Sequence, residues 1–479
     1  MGLSLDLQEK KVILKILKII SLVSFILVCL LSVSPLIGLF IPAYNGNDIL
    51  TIFRVKAYYV KVIGIICLVV AAFGYMLRLT VYGKKHLFMT FLKNPWNLLF
   101  LMIIVWGIVS FALHDQDSFG VMLNGYDTPN EGLLGFVSYA GIYAASSMII
   151  KKEHRNIIFN ILLGGSLLLA FCCFLREECG LRFILERQTY CFAYSGTWIN
   201  PNHYAYYLCV VSALALGKFL VTGRKNKYLS AYYITVFFAN YIILLKNRTL
   251  GAFLALVVAS VFFLVISIKR KQKNRVIALC VIAFLCAVLA NKLGGYMIHR
   301  DIPGIFETIG KTFRVLFGGG SQEGGQSTIE AMENVETNRL RIWVCGAEII
   351  FDSFKNALIG VGPDMALSSY QYYFFQYFPR GEVSHNEYLH LGVSLGIPGL
   401  LFYFGGVVTF IIYGLKNLKK MPDEIYLSVI CMGTYAVSAF FGITLPISEF
   451  IFWTMLGITN SWFQNKNEIE IVNKEYSSL

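Results

Sequence analysis

The stretch Gly381-Glu-Val-Ser-His-Asn-Glu-Tyr-Leu-His390 joins the two kinds of sequence from which this chain is built. Before it lies a long polar region, roughly residues 291 to 384, and after it an apolar run extends to about residue 413. That run is long enough to cross a bilayer as a helix, because about 20 apolar residues rising 1.5 Å each span the hydrocarbon. A titratable imidazole, His385, therefore stands where a hydrophilic loop meets a membrane span, with Asn386 and Glu387 beside it.

Similar apolar runs recur along the whole chain. They predict twelve spans, near 17–41, 57–79, 97–114, 133–150, 157–175, 203–222, 229–245, 252–268, 276–290, 389–413, 425–443 and 450–463. Composition agrees: of 479 residues 57% are hydrophobic and 14% charged, with mean hydropathy +0.63, whereas a soluble chain carries about a quarter charged residues. Long continuous runs exclude a barrel, whose strands are short and alternating. The expectation is an all-α polytopic membrane protein with about twelve transmembrane helices and one large extracytoplasmic loop region between spans nine and ten. The chain then divides into 1–290 (spans one to nine), 291–388 (loop domain), 389–463 (spans ten to twelve) and 464–479 (cytoplasmic tail). Lys10, Lys11, Lys15 and Lys18 precede the first run, and no small-residue cleavage site follows it, so it reads as a retained helix.

The net charge of +13 raises the question of nucleic acid, and the distribution of charge answers it. Lys and Arg gather in short loops on the side of the amino terminus, as in Lys269-Arg-Lys-Gln-Lys273. This is the topogenic bias of a membrane protein with a cytoplasmic amino terminus, and such loops meet anionic membrane lipid; no nucleic-acid partner is implied. Most of the eleven cysteines lie in apolar spans as small buried hydrophobes. Cys179 and Cys191 share one predicted outer loop, where an oxidising compartment permits a disulfide.

Five stretches on the outer side carry the remaining polar groups. Asp48, Arg54 and Lys56, near the start of span two, read as solvated. The acidic loop His114 to Gly132, ending in Glu131-Gly132, is either a solvated turn or part of a polar site. Asn200-Pro-Asn202 starts a helix, with Pro in its first turn and Asn capping the amides; such an end either is simply capped or holds an anion. Arg248 sits in Lys246-Asn-Arg-Thr-Leu-Gly251 between two spans, where it either snorkels to headgroups or neutralises a ligand phosphate. Within the large loop, Gly318 to Gly325 is a linker that lacks the Lys-Ser/Thr ending of a phosphate-binding loop. Glu336 to Ile350 reads as a helix capped by Asn338 and carrying Arg339, Arg341 and Trp343. The Tyr- and Phe-rich segment Pro363 to Phe378 suits the membrane interface.

Arginine and histidine together suit transfer of a group from a lipid diphosphate to a hydroxyl. Guanidinium forks bind phosphate oxygens in pairs and neutralise the departing diphosphate. A base near neutral pKa takes the acceptor proton, which is what histidine offers. The bland alternative is that His385 caps span ten while the arginines pair with Glu336, Glu348 or headgroups.

The order of these motifs resembles the bacterial O-antigen ligase and O-antigen polymerase superfamily, membrane enzymes of the C-type glycosyltransferase fold. The resemblance covers about residues 190 to 410. It runs from Gly196 through Asn200-Pro-Asn202, to Arg248 with Gly251, to Arg339 and Trp343 at R-x-x-x-W spacing. Leu358-Ile-Gly-Val-Gly-Pro363, Ser384-His-Asn-Glu-Tyr-Leu389 and Gly396-Ile-Pro-Gly399 complete it. Asn247 and Thr249 flank Arg248 where a Ser-Arg-Gly-like run is expected. The resemblance implies transfer of a glycan from an undecaprenyl-diphosphate-linked donor to a glycan or glycolipid acceptor, without metal or cofactor and with inversion. The site would face outward from the bacterial cytoplasmic membrane. It assigns His385 as the base and Arg248 and Arg339 to the diphosphate, with Arg341 as a further cation and Asn202, Asn386 and Glu387 in support. A flippase of lipid-linked oligosaccharide is the competing class, but it would show pseudo-symmetric halves and paired broken helices, and the sequence has neither.

Overall fold

The computed structural model describes residues 7–39, 49–114, 118–126, 130–180, 193–198, 200–222, 226–293, 338–443 and 445–477. Among them every regular element is a helix. Among the described residues, nine helices are long and apolar enough to cross a membrane. These are α1 (Leu7–Ser32, continued by a 3-10 turn Ser34–Leu39), α2 (Ile49–Tyr82), α4 (Pro95–Ala112), α7 (Lys152–Glu177), α8 (Pro201–Thr222), α9 (Lys227–Asn247), α10 (Leu250–Lys269), α11 (Lys273–Leu293) and α15 (Glu387–Asn417). The protein is an integral membrane protein.

The other three expected spans, 133–150, 425–443 and 450–463, fall on α6 (Gly132–Ser147), α16 (Asp423–Ala439) and α17 (Pro446–Ser477). These three helices have 16, 17 and 32 residues. Helices α6 and α16 pack inside the bundle, α6 along α2 and α17, α16 along α8 and α10. Short helices α3 (Lys84–Leu92) and α5 (Phe119–Asn124) connect the early spans.

Helix α8 is the axis of the fold. It is buried on nearly every face from His203 to Leu220, which is how a helix apolar all round must sit. Helix α11 is the opposite case, with only Leu279, Ile282 and Ala290 buried and Phe284 and Ile277 facing outward as on a lipid-exposed edge.

The described part of the polar region forms α12 (Asn338–Phe351), α13 (Phe354–Ile359) and α14 (Ala366–Tyr373). The expected helix over 336–350 is present and begins at Asn338. The linker Gly318 to Gly325, Asp48, Glu336 and Cys191 lie outside the described residues, so the pairing of Cys179 with Cys191 does too. Ile342, Cys345, Ile349, Ile350, Ala366 and Tyr370 build a small core that closes on Val393 of α15. The turn after α13 is tied to the same helix, Val361 N donating to Val393 O at 2.9 Å and Gly362 N to Ser394 O at 3.1 Å. Helix α15 bends there, as Pro398 predicts, but the break is taken by Gly396 at φ 72° and ψ −176°, two residues earlier. Glycine tolerates that conformation, and a Cβ at this point would stand 2.6 Å from Leu358 O.

Candidate active site

The first turn of α8 is the hub of the site. Asn200 Oδ1 accepts the Asn202 amide at 2.9 Å, and Pro201 occupies the first helical position, where a missing N–H loses no bond. The α9–α10 turn is docked on this start. Asn247 Nδ2 donates to Pro201 O at 2.7 Å and to Tyr194 O at 3.0 Å, and Thr249 Oγ1 donates to Asn202 Oδ1 at 3.0 Å. Between these buried residues Arg248 closes α9 in the left-handed conformation, φ 62°, with its side chain exposed. The two residues that depart from the expected Ser-Arg-Gly-like run are therefore the ones that clamp the arginine's turn.

A second contact reaches the same hub from α12. Arg339 Nη1 donates to Phe441 O at 3.3 Å, and the Tyr206 hydroxyl of α8 donates to the same carbonyl. Gly251 packs against Phe441 so closely that a Cβ would lie 2.4 Å from the phenylalanine Cβ. Phe441 thus joins the Arg339 guanidinium, α8 and the start of α10. Arg341 does not share this contact. Two positions apart on a helix point about 200° from each other, and the Arg341 guanidinium lies over the Tyr377 ring at 5.3 Å.

His385 precedes α15 in a left-handed conformation, φ 46°, which is uncommon for a residue with a Cβ. Its Nε2 lies 3.3 Å from Glu382 Oε1, in a pair about 30% exposed (29% and 31%). Burial pushes the Glu382 carboxyl up, but the bonds from His385 and from the Val383 amide and the imidazole charge outweigh it, and the carboxyl sits below its ordinary range. His203 of α8 and His390 of α15 lie near enough to feel the charge of His385. Both are buried, and neither His390 ring nitrogen nor His203 Nδ1 has a hydrogen-bond partner among the described residues. Asn386 caps α15 by accepting the Leu389 amide at 3.1 Å.

Glu387 points the other way, into the bundle. Its carboxylate accepts from the Tyr403 hydroxyl and, at 2.9 Å, from the Tyr435 hydroxyl, and it is 1% exposed. It faces a buried acidic set that sequence reading only partly found. Glu131 is 1% exposed rather than solvated, and Asp364, just after the Gly360-Val-Gly-Pro363 turn, accepts the Tyr126 and Glu131 amides at 2.8 and 3.2 Å. Burial, then the charges of Asp364 and Glu387, push the Glu131 carboxyl up to about 8. Burial pushes Asp364 up to about 7 against the Tyr126 and Glu131 amides and the Lys61 charge. Lys61 Nζ ties the acidic loop down by donating to Asn124 O at 2.6 Å.

The structure therefore links Asn202, the Arg248 turn and Arg339 through α8 and Phe441, and brings His203 of the same α8 turn near His385. It sends Arg341 to Tyr377 and Glu387 to the buried tyrosines. It also corrects one expectation: Lys56 is fully buried, because its ammonium reaches Thr197 at 2.9 to 3.0 Å. Lys56 and Lys61 carried a signal, a cation inside an apolar run, but the sequence does not show which wall each faces.

Residues 233–404 match the family model described as O-antigen ligase. The match covers less than half of the chain and supports a likeness to the O-antigen ligase and polymerase superfamily. The matched segment runs from α9 into α15 and takes in Arg248, Arg339, Arg341, Asp364, His385, Asn386 and Glu387. Asn202, Lys56 and Glu131 lie outside it. No curated protein matches the chain by sequence.

Proposed function

We propose that the protein moves a glycan from undecaprenyl diphosphate to an acceptor hydroxyl at the outward face of the bacterial cytoplasmic membrane, as a surface-polysaccharide polymerase or O-antigen ligase. The observation that carries this reading is the linkage of two arginine-bearing elements to the start of α8, the α9–α10 turn through Asn202 and α12 through the Phe441 carbonyl shared with Tyr206. Arg248 and Arg339 hold the diphosphate and balance the charge that develops on it. His385 takes the proton of the acceptor hydroxyl as its oxygen bonds to the anomeric carbon. The bond from that carbon to the phosphate oxygen breaks, and undecaprenyl diphosphate leaves with the electron pair. Charge neutralisation in this scheme falls to guanidinium and calls for no metal.

Glu382 orients the His385 ring, and Asn202 and Asn386 hold the helix starts in place. Arg341, stacked on Tyr377, supports α12. The test is transfer from a purified lipid-linked donor by the full chain in nanodiscs. His385→Ala should lower transfer about 10²- to 10⁴-fold, the range of a lost general base. Unchanged transfer by that variant would remove His385 from the reaction. Movement of intact donor across the bilayer without release of undecaprenyl diphosphate would instead make the protein a flippase.

A further inference from the structure

An ammonium group taken wholly out of water costs several kcal/mol unless its donors are met. Lys56, near the start of α2, is 0% exposed. Its Nζ donates to Thr197 O at 3.0 Å and to Thr197 Oγ1 at 2.9 Å, and lies 4.1 Å from the centre of the Trp198 ring. Thr197 Oγ1 in turn donates to Pro35 O at 2.8 Å, so the 3-10 turn after α1 backs the same contact. An ammonium has three donors in a compact head, and here two find oxygens while the charge faces an aromatic ring, a favourable pairing when desolvated.

What this cation holds is the short turn leading into α8. Trp198 is itself fully buried and stacks on Tyr204 at 5.0 Å, with Tyr207 at 4.9 Å, so the turn sets the rotation of the first helical turns of α8. Those turns carry Asn202 and His203. Tyr194, at the other side of the turn, accepts from Asn247 next to Arg248.

We propose that Lys56 is a positioning residue for glycan transfer: by pinning Thr197 and Trp198 it fixes where Asn202, His203 and the Arg248 turn meet. The inference rests on the transfer reading of the site and lies outside the segment matched to the family. Lys56 touches no substrate in this scheme and acts only through the turn.

The experiment uses the full chain in nanodiscs and two readouts, hydrogen exchange of the amides of 195–198 and 202–204, and kcat/KM for transfer from purified lipid-linked donor. Lys56→Met keeps the length of the side chain and removes the charge. It should speed exchange in those amides and lower kcat/KM about tenfold or more, as small displacements of positioned groups do. Lys56→Arg keeps the charge and its donors and should restore part of both. His385→Ala should lose transfer with exchange unchanged. Wild-type exchange, or wild-type kcat/KM, in Lys56→Met overturns the proposal. Should Lys56→Met fail to fold, Lys56→Gln and Thr197→Val replace it, and wild-type transfer by both overturns it equally. If the wild-type chain releases no undecaprenyl diphosphate and transfers no glycan, the transfer reading falls, while the exchange contrast between Lys56→Met and Lys56→Arg still decides whether Lys56 holds the turn.

Discussion

His385 Nε2 lies 3.3 Å from Glu382 Oε1 while the His385 backbone is held at φ 46°. The carboxylate is one turn of loop away, and the left-handed residue between loop and helix is what swings the imidazole back onto it. Left-handed backbone at a residue with a Cβ costs of order 1–3 kcal/mol and persists where surrounding contacts demand it. The Asn386 cap on α15 and the Glu382 bond are those contacts.

Glu382→Gln should lower transfer about tenfold, less than His385→Ala, because the base remains but loses its orienting partner. The acid limb of stability should change as well. A carboxyl held below its unfolded value stabilises the fold above that value and loses this as pH falls through the folded one. Unfolding of the wild type should therefore become easier with acid below the ordinary carboxyl value of 4.5, and Glu382→Gln should flatten that limb. Thermal unfolding across the acid range measures both curves.

Glu131 and Asp364 predict the opposite slope at higher pH. Burial raises both, to about 8 and about 7 from 4.5 and 3.8. Their contribution is present below the unfolded values and is lost as pH rises through the folded ones. Stability should fall between about pH 4.5 and about pH 8, and Glu131→Gln, which keeps a neutral side chain, should remove part of that fall. A variant with the wild-type slope would mean that Glu131 is ionised in the folded chain.

Arg339 and Arg341 should separate cleanly. Arg339→Ala removes the cation that shares Phe441 with α8 and should cost about 10²-fold in transfer, the loss typical of one electrostatic donor. Arg341→Ala removes a stacked contact on Tyr377 and should instead lower stability by about 0.5–1 kcal/mol with transfer largely kept. Equal losses of transfer would place both cations on the diphosphate.

The bond from Thr249 to Asn202 should show as a coupling. A cycle of Asn202→Ala, Thr249→Val and the double variant should give an interaction of about 1 kcal/mol in stability. Additive changes would mean that Asn247 alone holds the α9–α10 turn on α8.

Gly396→Ala tests the bend in α15. With φ 72° and Leu358 O only 2.6 Å from the position of a Cβ, the variant should lose about 1–3 kcal/mol or more. The loss should exceed that of Pro398→Ala, because the break lies at the glycine.

Apolar run length and charge bias were enough to identify a helical membrane protein, since both are properties of consecutive residues. Nine of the expected spans are helices of crossing length, and the helix expected over 336–350 is present from Asn338. The same local reading named Arg248, Arg339, His385, Asn202 and Asn386, because arginine or histidine beside a span boundary stands out against hydrocarbon. It placed Lys56 and Glu131 wrongly or left them open, because exposure depends on what packs against a residue. Thr197, 141 residues away from Lys56, and Asp364, 233 residues away from Glu131, decide their burial.

The sequence by itself determined that the chain crosses the membrane as helices and which cations stand near their ends. Only the tertiary structure decided which of these cations share a wall. Arg339 and Arg341 are near neighbours along the chain, yet one meets Phe441 and the other Tyr377. Helical rotation separates them, and the partner of each comes from a different part of the chain.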